Sequence, residues 1–191
     1  MRSLNPQGEE EVKLYNSRAD LDRNVIQDEN VQVTKVKSAP FDELKSQNQR
    51  RNQKFTDEEF PPRKSSLGNV PGDISWKRIS EIVPNPCLFD NKIEPKDIIE
   101  GNKGDDYFLS SVAALAENSA NIRTIFRGQS YNKEGIYKVR LRVEGNVQEV
   151  IVDDHVPVYE NDKPVFCQPN QTGEFWVLIL EKAYAKVNGS Y

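Results

Sequence analysis

Residues 100–116 constrain this chain more than any other stretch. Glu100-Gly101-Asn102-Lys103-Gly104 is a glycine-rich turn that runs into Asp105-Asp106-Tyr107-Phe108-Leu109 and on to Ala116. Leu109, Val112, Ala113 and Ala116 recur at i, i+3, i+4 and i+7, with Phe108 and Leu115 widening the stripe, which predicts a buried helix. The positive end of that helix faces whatever lies in front of Gly101 and Gly104. Many enzymes hold a nucleophile or a phosphate in such a place. Here Asp105 and Asp106 stand there. A carboxylate at a helix start accepts amide hydrogen bonds and suits the dipole, so both are expected to cap the helix.

The second half of the chain alternates. Tyr137, Val139, Leu141 and Val143 are separated by Lys138, Arg140 and Arg142, the pattern of a half-buried strand over 136–143. Glu144-Gly145-Asn146 makes a tight reversal, and Val147 to Asp153 is its hairpin partner. Val156–Tyr159 and Pro164–Phe166 read as further short strands around the turn 160–163. After the central helix Asn118 to Asn121 provides a cap, and Ile122, Ile125 and Phe126 suggest a further helical turn or short helix. Trp176, Ile179, Leu180, Ala183, Tyr184 and Val187 follow helical spacing, with Gly189 as terminator. We read these elements as an α+β domain.

Residues 1–54 are different. Asn, Gln, Glu, Asp, Lys and Arg dominate them, and Asp20–Asp28 and Gln47–Lys54 have the composition of solvated segments. Only Val31, Val33 and Val36 offer a short strand there, which would need a partner. We therefore expect a polar tail over 1–54, disordered or laid along another protein, and a folded part over 55–191 that opens with Phe55 and Phe60. A net charge of −4 gives no reason to expect nucleic acid or an anionic membrane as partner. Two cysteines, Cys87 and Cys167, point to a reducing compartment. No run reaches the ~18 apolar residues of a membrane span. Met1-Arg2-Ser3 lacks both a signal core and the glycine that N-myristoylation needs. A cytoplasmic protein is expected.

The turn at 100–109 resembles the catalytic-cysteine motif of the calpain family, Gln-Gly-x-x-Gly-Asp-Cys-Trp-Phe-Leu. Gly101, Gly104, Asp105, Phe108 and Leu109 agree with it. Glu100 stands at the oxyanion-hole Gln, Asp106 at the nucleophilic Cys and Tyr107 at the Trp. Three further phrases resemble the family: the stretch around Trp76, with Ile79 where Pro is usual; Asp153-Asp154-His155-Val156-Pro157; and Glu174-Phe175-Trp176 through Asn188-Gly189-Ser190-Tyr191. Together they cover roughly 55–191. The resemblance implies the N-terminal half of a papain-like protease core, its first subdomain, with the His and Asn of the active site in a second subdomain beyond Tyr191.

A papain-type protease needs a thiolate, a His that takes and returns the proton, and a group that orients the His. Asp106 is a weak nucleophile toward an amide, so no catalytic residue is assigned: Glu100 and Asp106 are degenerate positions and the chain is expected to be a pseudoprotease. A His155/Cys167 pair is the alternative dyad, although no phrase around Cys167 resembles a nucleophile site. By the same resemblance Asp97 and Glu174 are candidate calcium ligands, with carbonyls near Asp90 and Lys92. Carboxylates and carbonyls are the hard oxygens calcium takes. The competing reading is that Asp97 caps a turn and Glu174 caps the last helix. The expected function is that of a structural or scaffold subunit, contacting other proteins through the tail and the exposed face of the half-core. Cytoskeletal or ciliary (axonemal) assemblies are its family-level setting. A regulatory pseudoprotease that binds calcium, calpain substrates or an active calpain is the alternative.

Overall fold

The computed structural model describes residues 40–90, 92–101, 106–170 and 172–191. The strand expected around Val31–Val36, and the expected tail as far as residue 39, lie outside them. Of the remainder of that tail, Phe41–Arg51 forms a helix, α1. Asp42 and Glu43 lie in its first turn and Arg50 and Arg51 in its last, each sign at the dipole end that favours it. Its anchor is Phe41, which packs with Ile136 and Ile151, while Leu44 and Phe55 close the rim. The polar letters that suggest a solvated tail are the outer faces of a helix with a one-residue foot.

Lys64–Leu67 is a single helical turn, α2, followed by strand β1, Ser75–Arg78, and a second short turn, α3, Ile79–Ile82. The helix predicted after the glycine-rich turn is α4, Asp106–Ala116. Phe108, Leu109, Val112 and Ala116 are buried in it, but Leu115 is 42% exposed. The capping expected of Asp105 and of the Asp106 side chain lies outside the described residues. Asn118 caps α5, Ser119–Ile125, by accepting from the Ala120 amide. Phe126 belongs not to this helix but to the two-residue strand β2, Phe126–Arg127.

The predicted hairpin is β3, Ile136–Val143, with β4, Asn146–Asp153. Their register runs from Ile136 opposite Asp153 to Val143 opposite Asn146, and β2 adds to the free side of β3. Period-2 alternation puts Tyr137, Val139, Val150 and Val152 on the core face. Ile136 and Ile151 go to the opposite face, where Phe41 meets them. Strand β5, His155–Val158, turns away and pairs antiparallel with β1 in a separate two-stranded sheet. Beyond it, Pro164 makes a single bridge to Val158 where a strand over 164–166 is expected.

The last helix, α6, spans Trp176–Asn188 and packs against β3 and β4. Trp176 to Ala183 are all buried, Glu181 and Lys182 among them, as befits a helix through the middle of a core. Gly189 ends it with a left-handed φ of 97°.

Candidate functional site

Two lysines on α6, Lys182 buried and Lys186 half-buried, fix the segment that enters the core. Lys182 is 0% exposed; its Nζ lies 2.5 Å from Asp153 Oδ1 and 2.7 Å from the His155 carbonyl. Burial works against its charge and lowers its pKa. Burial also opposes ionisation of Asp153, but neighbouring His155, the Lys182 charge and the Asp57 amide outweigh it and hold the carboxyl below the usual range. One turn on, Lys186 pairs with Asp57 at 2.8 Å and Glu59 at 2.9 Å. Arg78 pairs with Asp154. The Asp153-Asp154 phrase is thus a structural junction: it ties residues 55–60, β1 and α6 together. Breaking one partner of such a buried pair costs about 3–5 kcal/mol.

His155 and Cys167 have other work. His155 Nδ1 is 3.2 Å from Asp153 Oδ1. Cys167 is buried, its amide donating to Glu181, and its thiol is pushed up by burial first and the Glu181 charge second. Nothing there generates a thiolate. Cys87 is half-buried.

At the start of the glycine-rich turn the backbone is tightly set around Gly101. Gly101 lies so close to the Phe166 carbonyl that a Cβ would fall 1.6 Å from its oxygen, so only glycine fits. The neighbouring bridge Ile99–Gln168, with the Gln168 amide donating to the Ile99 carbonyl, holds this approach. Glu100 is exposed beside it, and Tyr107 on the first turn of α4 is 90% exposed. Phe108 stacks on Tyr184 at 4.5 Å, placing exposed flanks of α4 and α6 side by side.

The candidate calcium ligands do come together. Asp97 ends the 3₁₀ turn Pro95–Asp97, and its Oδ2 accepts the Glu94 amide at 2.7 Å. Glu174 Oε1 accepts the Asp90 amide at 3.0 Å. The facing oxygens, Asp97 Oδ1 and Glu174 Oε2, share one donor: Asn170 Nδ2, at 3.2 and 2.9 Å. The turn-capping expected of Asp97 therefore coexists with the pairing, whereas Glu174 does not cap α6, whose N-cap Phe175 has no side-chain cap bond. Gly173 lets the chain pass: its φ is 83° and a Cβ would sit 3.1 Å from the Asn85 carbonyl. Cys87 exchanges backbone bonds with Gly173 and Phe175, which locks the 85–90 loop onto the start of α6.

Glu174 is 3% exposed and Asp97 8%. Burial foremost, with the nearby Asp97 and Asp90 charges, pushes the Glu174 carboxyl up to about 7 despite its hydrogen bonds. Two adjacent carboxylates short of positive charge, with only oxygen donors, fit a hard divalent cation. Of the expected carbonyls, that of Asp90 accepts from Arg123 Nη2 at 3.2 Å, and Arg123 lies over the Phe89 ring. Among the described residues no third Asp, Glu, His or Cys completes a metal-holding cluster. Asn170 carries no residue-type signal for a metal; only its place in the turn-forming Asn170-Gln171-Thr172-Gly173 marks it in the sequence.

With this geometry in hand, comparison with known proteins is decisive. The profile described as "Calpain family cysteine protease" matches residues 55–191. The chain belongs to the calpain family. It is 42% identical over 151 residues to "Calpain-type cysteine protease ADL1" of Oryza sativa subsp. japonica, covering 72% of this chain and 7% of that protein. To "Calpain-8" of Rattus norvegicus it is 35% identical over 173 residues, covering 85% and 24%. To the "Calpain-1 catalytic subunit" of Homo sapiens it is 38% identical over 148 residues, covering 72% and 21%. The chain thus spans from under a tenth to about a quarter of these relatives' lengths. The expected α+β protease-core fold stands. No helix among the described residues is long and apolar enough to cross a membrane.

Proposed function

We infer that this is a calpain-family protein that has given up proteolysis and works by binding other proteins, as a structural subunit of a larger assembly. The observation that carries the reading is the pair of residues at the chemical positions of the calpain motif. A cysteine protease needs a thiolate at the start of α4 and an amide donor aimed at the developing oxyanion. Asp106 supplies no thiol. Glu100, when ionised, only accepts hydrogen bonds and repels an oxyanion. The surrounding scaffold meanwhile remains tightly built, from Gly101 against Phe166 to the buried Lys182–Asp153 pair. Tyr107, Leu115 and Tyr184, all exposed on α4 and α6, support a protein-covered face. The tail and this face are the proposed contacts, with cytoskeletal or ciliary assemblies as the setting.

The Asp97–Glu174 pair favours a second reading, a calcium-binding regulatory pseudoprotease that engages calpain substrates or an active calpain. Calcium there would be held by those two carboxylates and nearby carbonyls. It would clamp the 90–97 turn to the start of α6. Gentle extraction from the native source, with sizing and cross-linking mass spectrometry, separates the two. The structural reading expects a large, salt-resistant particle, with lysines of residues 1–54 cross-linked to neighbours. Elution as a free 21.9 kDa monomer contradicts it and favours the regulator.

A further inference from the structure

Three donors, the Glu94 and Asp90 backbone amides and the Asn170 side-chain amide, make four hydrogen bonds to the Asp97 and Glu174 carboxylates, and they are not equivalent. The outer oxygens, Asp97 Oδ2 and Glu174 Oε1, take the backbone amides of Glu94 and Asp90, which cannot leave without unravelling their turns. The inner oxygens, which face each other, take the side-chain amide of Asn170. The orientation of that amide is fixed from behind. Asn170 Oδ1 accepts from the Thr172 amide at 3.0 Å, the Thr172 hydroxyl at 2.7 Å and the Glu174 amide at 3.0 Å. Three donors on the oxygen leave the NH₂ no choice but to point at the carboxylates.

We propose that the Asn170 side-chain amide is a built-in stand-in for the cation: it bridges Asp97 and Glu174 when no ion is bound and must be displaced for an ion to enter. This rests on the calcium reading of the pair. An ion that takes one inner oxygen from each carboxylate at ~2.3–2.6 Å lies in the wedge that Asn170 Nδ2 fills. A neutral amide only partly offsets two buried negative charges, so the exchange is favourable to calcium but weakened by the lost hydrogen bonds. Asn170 therefore sets the calcium threshold of this chain.

Asn170→Asp separates the two jobs of the side chain. It keeps an oxygen to accept from Thr172 and Glu174, removes the bridging donor, and adds a third carboxylate at the pair. The 191-residue chain and its Asn170→Asp variant are compared by thermal unfolding in EGTA and in calcium chloride, with calorimetric calcium titration. The expected result is a lower Tm for the variant in EGTA, a larger calcium-induced rise in Tm, and calcium binding at least tenfold tighter than in the parent. Should the variant not fold in EGTA, Asn170→Ala removes the donor without adding charge, and its calcium affinity is expected to exceed the parent's. Equal calcium affinity in parent and variants overturns the role of Asn170 while leaving the calcium site standing. No calcium heat in any of them overturns the calcium reading itself.

Discussion

Glu174 is a buried carboxyl whose titration is moved into a range that is easily measured. Its carboxyl titrates ordinarily near 4.5 and in the folded chain near 7. Between those values the folded chain holds a proton that the unfolded chain has released. Its contribution to stability is therefore complete at low pH and lost as pH rises toward about 7, with no further change above. Asp153, whose carboxyl is held low, acts oppositely and only in acid: its contribution is lost as pH falls below the ordinary carboxylate range. Denaturant unfolding at a series of pH values in EGTA tests this. Glu174→Gln is expected to flatten the decline between about 4.5 and about 7, and an unchanged slope in that variant contradicts the assignment. Asp97 and Glu174 could be chosen from the sequence because a family motif marks them. Asn170 and Lys182 could not. A buried lysine and a bridging amide are recognised by what surrounds them: residues 97, 170 and 174 in one group, and 153 and 182 in another, meet only after the chain has folded.

Among the elements, α1 shows where composition misleads. Its eleven residues are polar but for Phe41 and Leu44, and pattern alone puts them in a solvated tail. The missing signal lies elsewhere in the chain: Ile136 and Ile151 are apolar residues on the outer face of the hairpin, and they need a cover. Arg127 and Lys138 sit 5.9 and 5.8 Å from the Phe41 ring, and Arg127 also pairs with Asp42 at 2.6 Å. Truncating a buried phenylalanine costs about 3–5 kcal/mol, but here the loss falls on one element. Phe41→Ala is expected to expose the amides of 41–51 to fast hydrogen exchange while those of 136–153 keep their protection. Loss of protection in both would mean that α1 is part of the cooperative core. The hairpin and α6, by contrast, were legible as elements, although not the burial of Lys138 and Lys182 or the exposure of Tyr184. Their periods of 2 and 3.6 run long enough to leave little choice, and β4 differs only by beginning at Asn146.

For the whole molecule, the proposed reading separates the scaffold from the chemistry. Gly101, the Asp153-Asp154 junction and the Glu174-Phe175-Trp176 start of α6 all serve the packing, and all are in place. The positions that would perform acyl transfer carry Asp106 and Glu100 instead of a thiol and an amide. Nothing in a packed core depends on a nucleophile, so a calpain core can lose its reaction and remain a well-built binding body. The direct test is peptidase activity of the native, full-length protein in calcium, measured beside its Asp106→Ala form. Both are expected to show the same background rate at every calcium concentration. Calcium-dependent cleavage that disappears with Asp106→Ala would contradict the account.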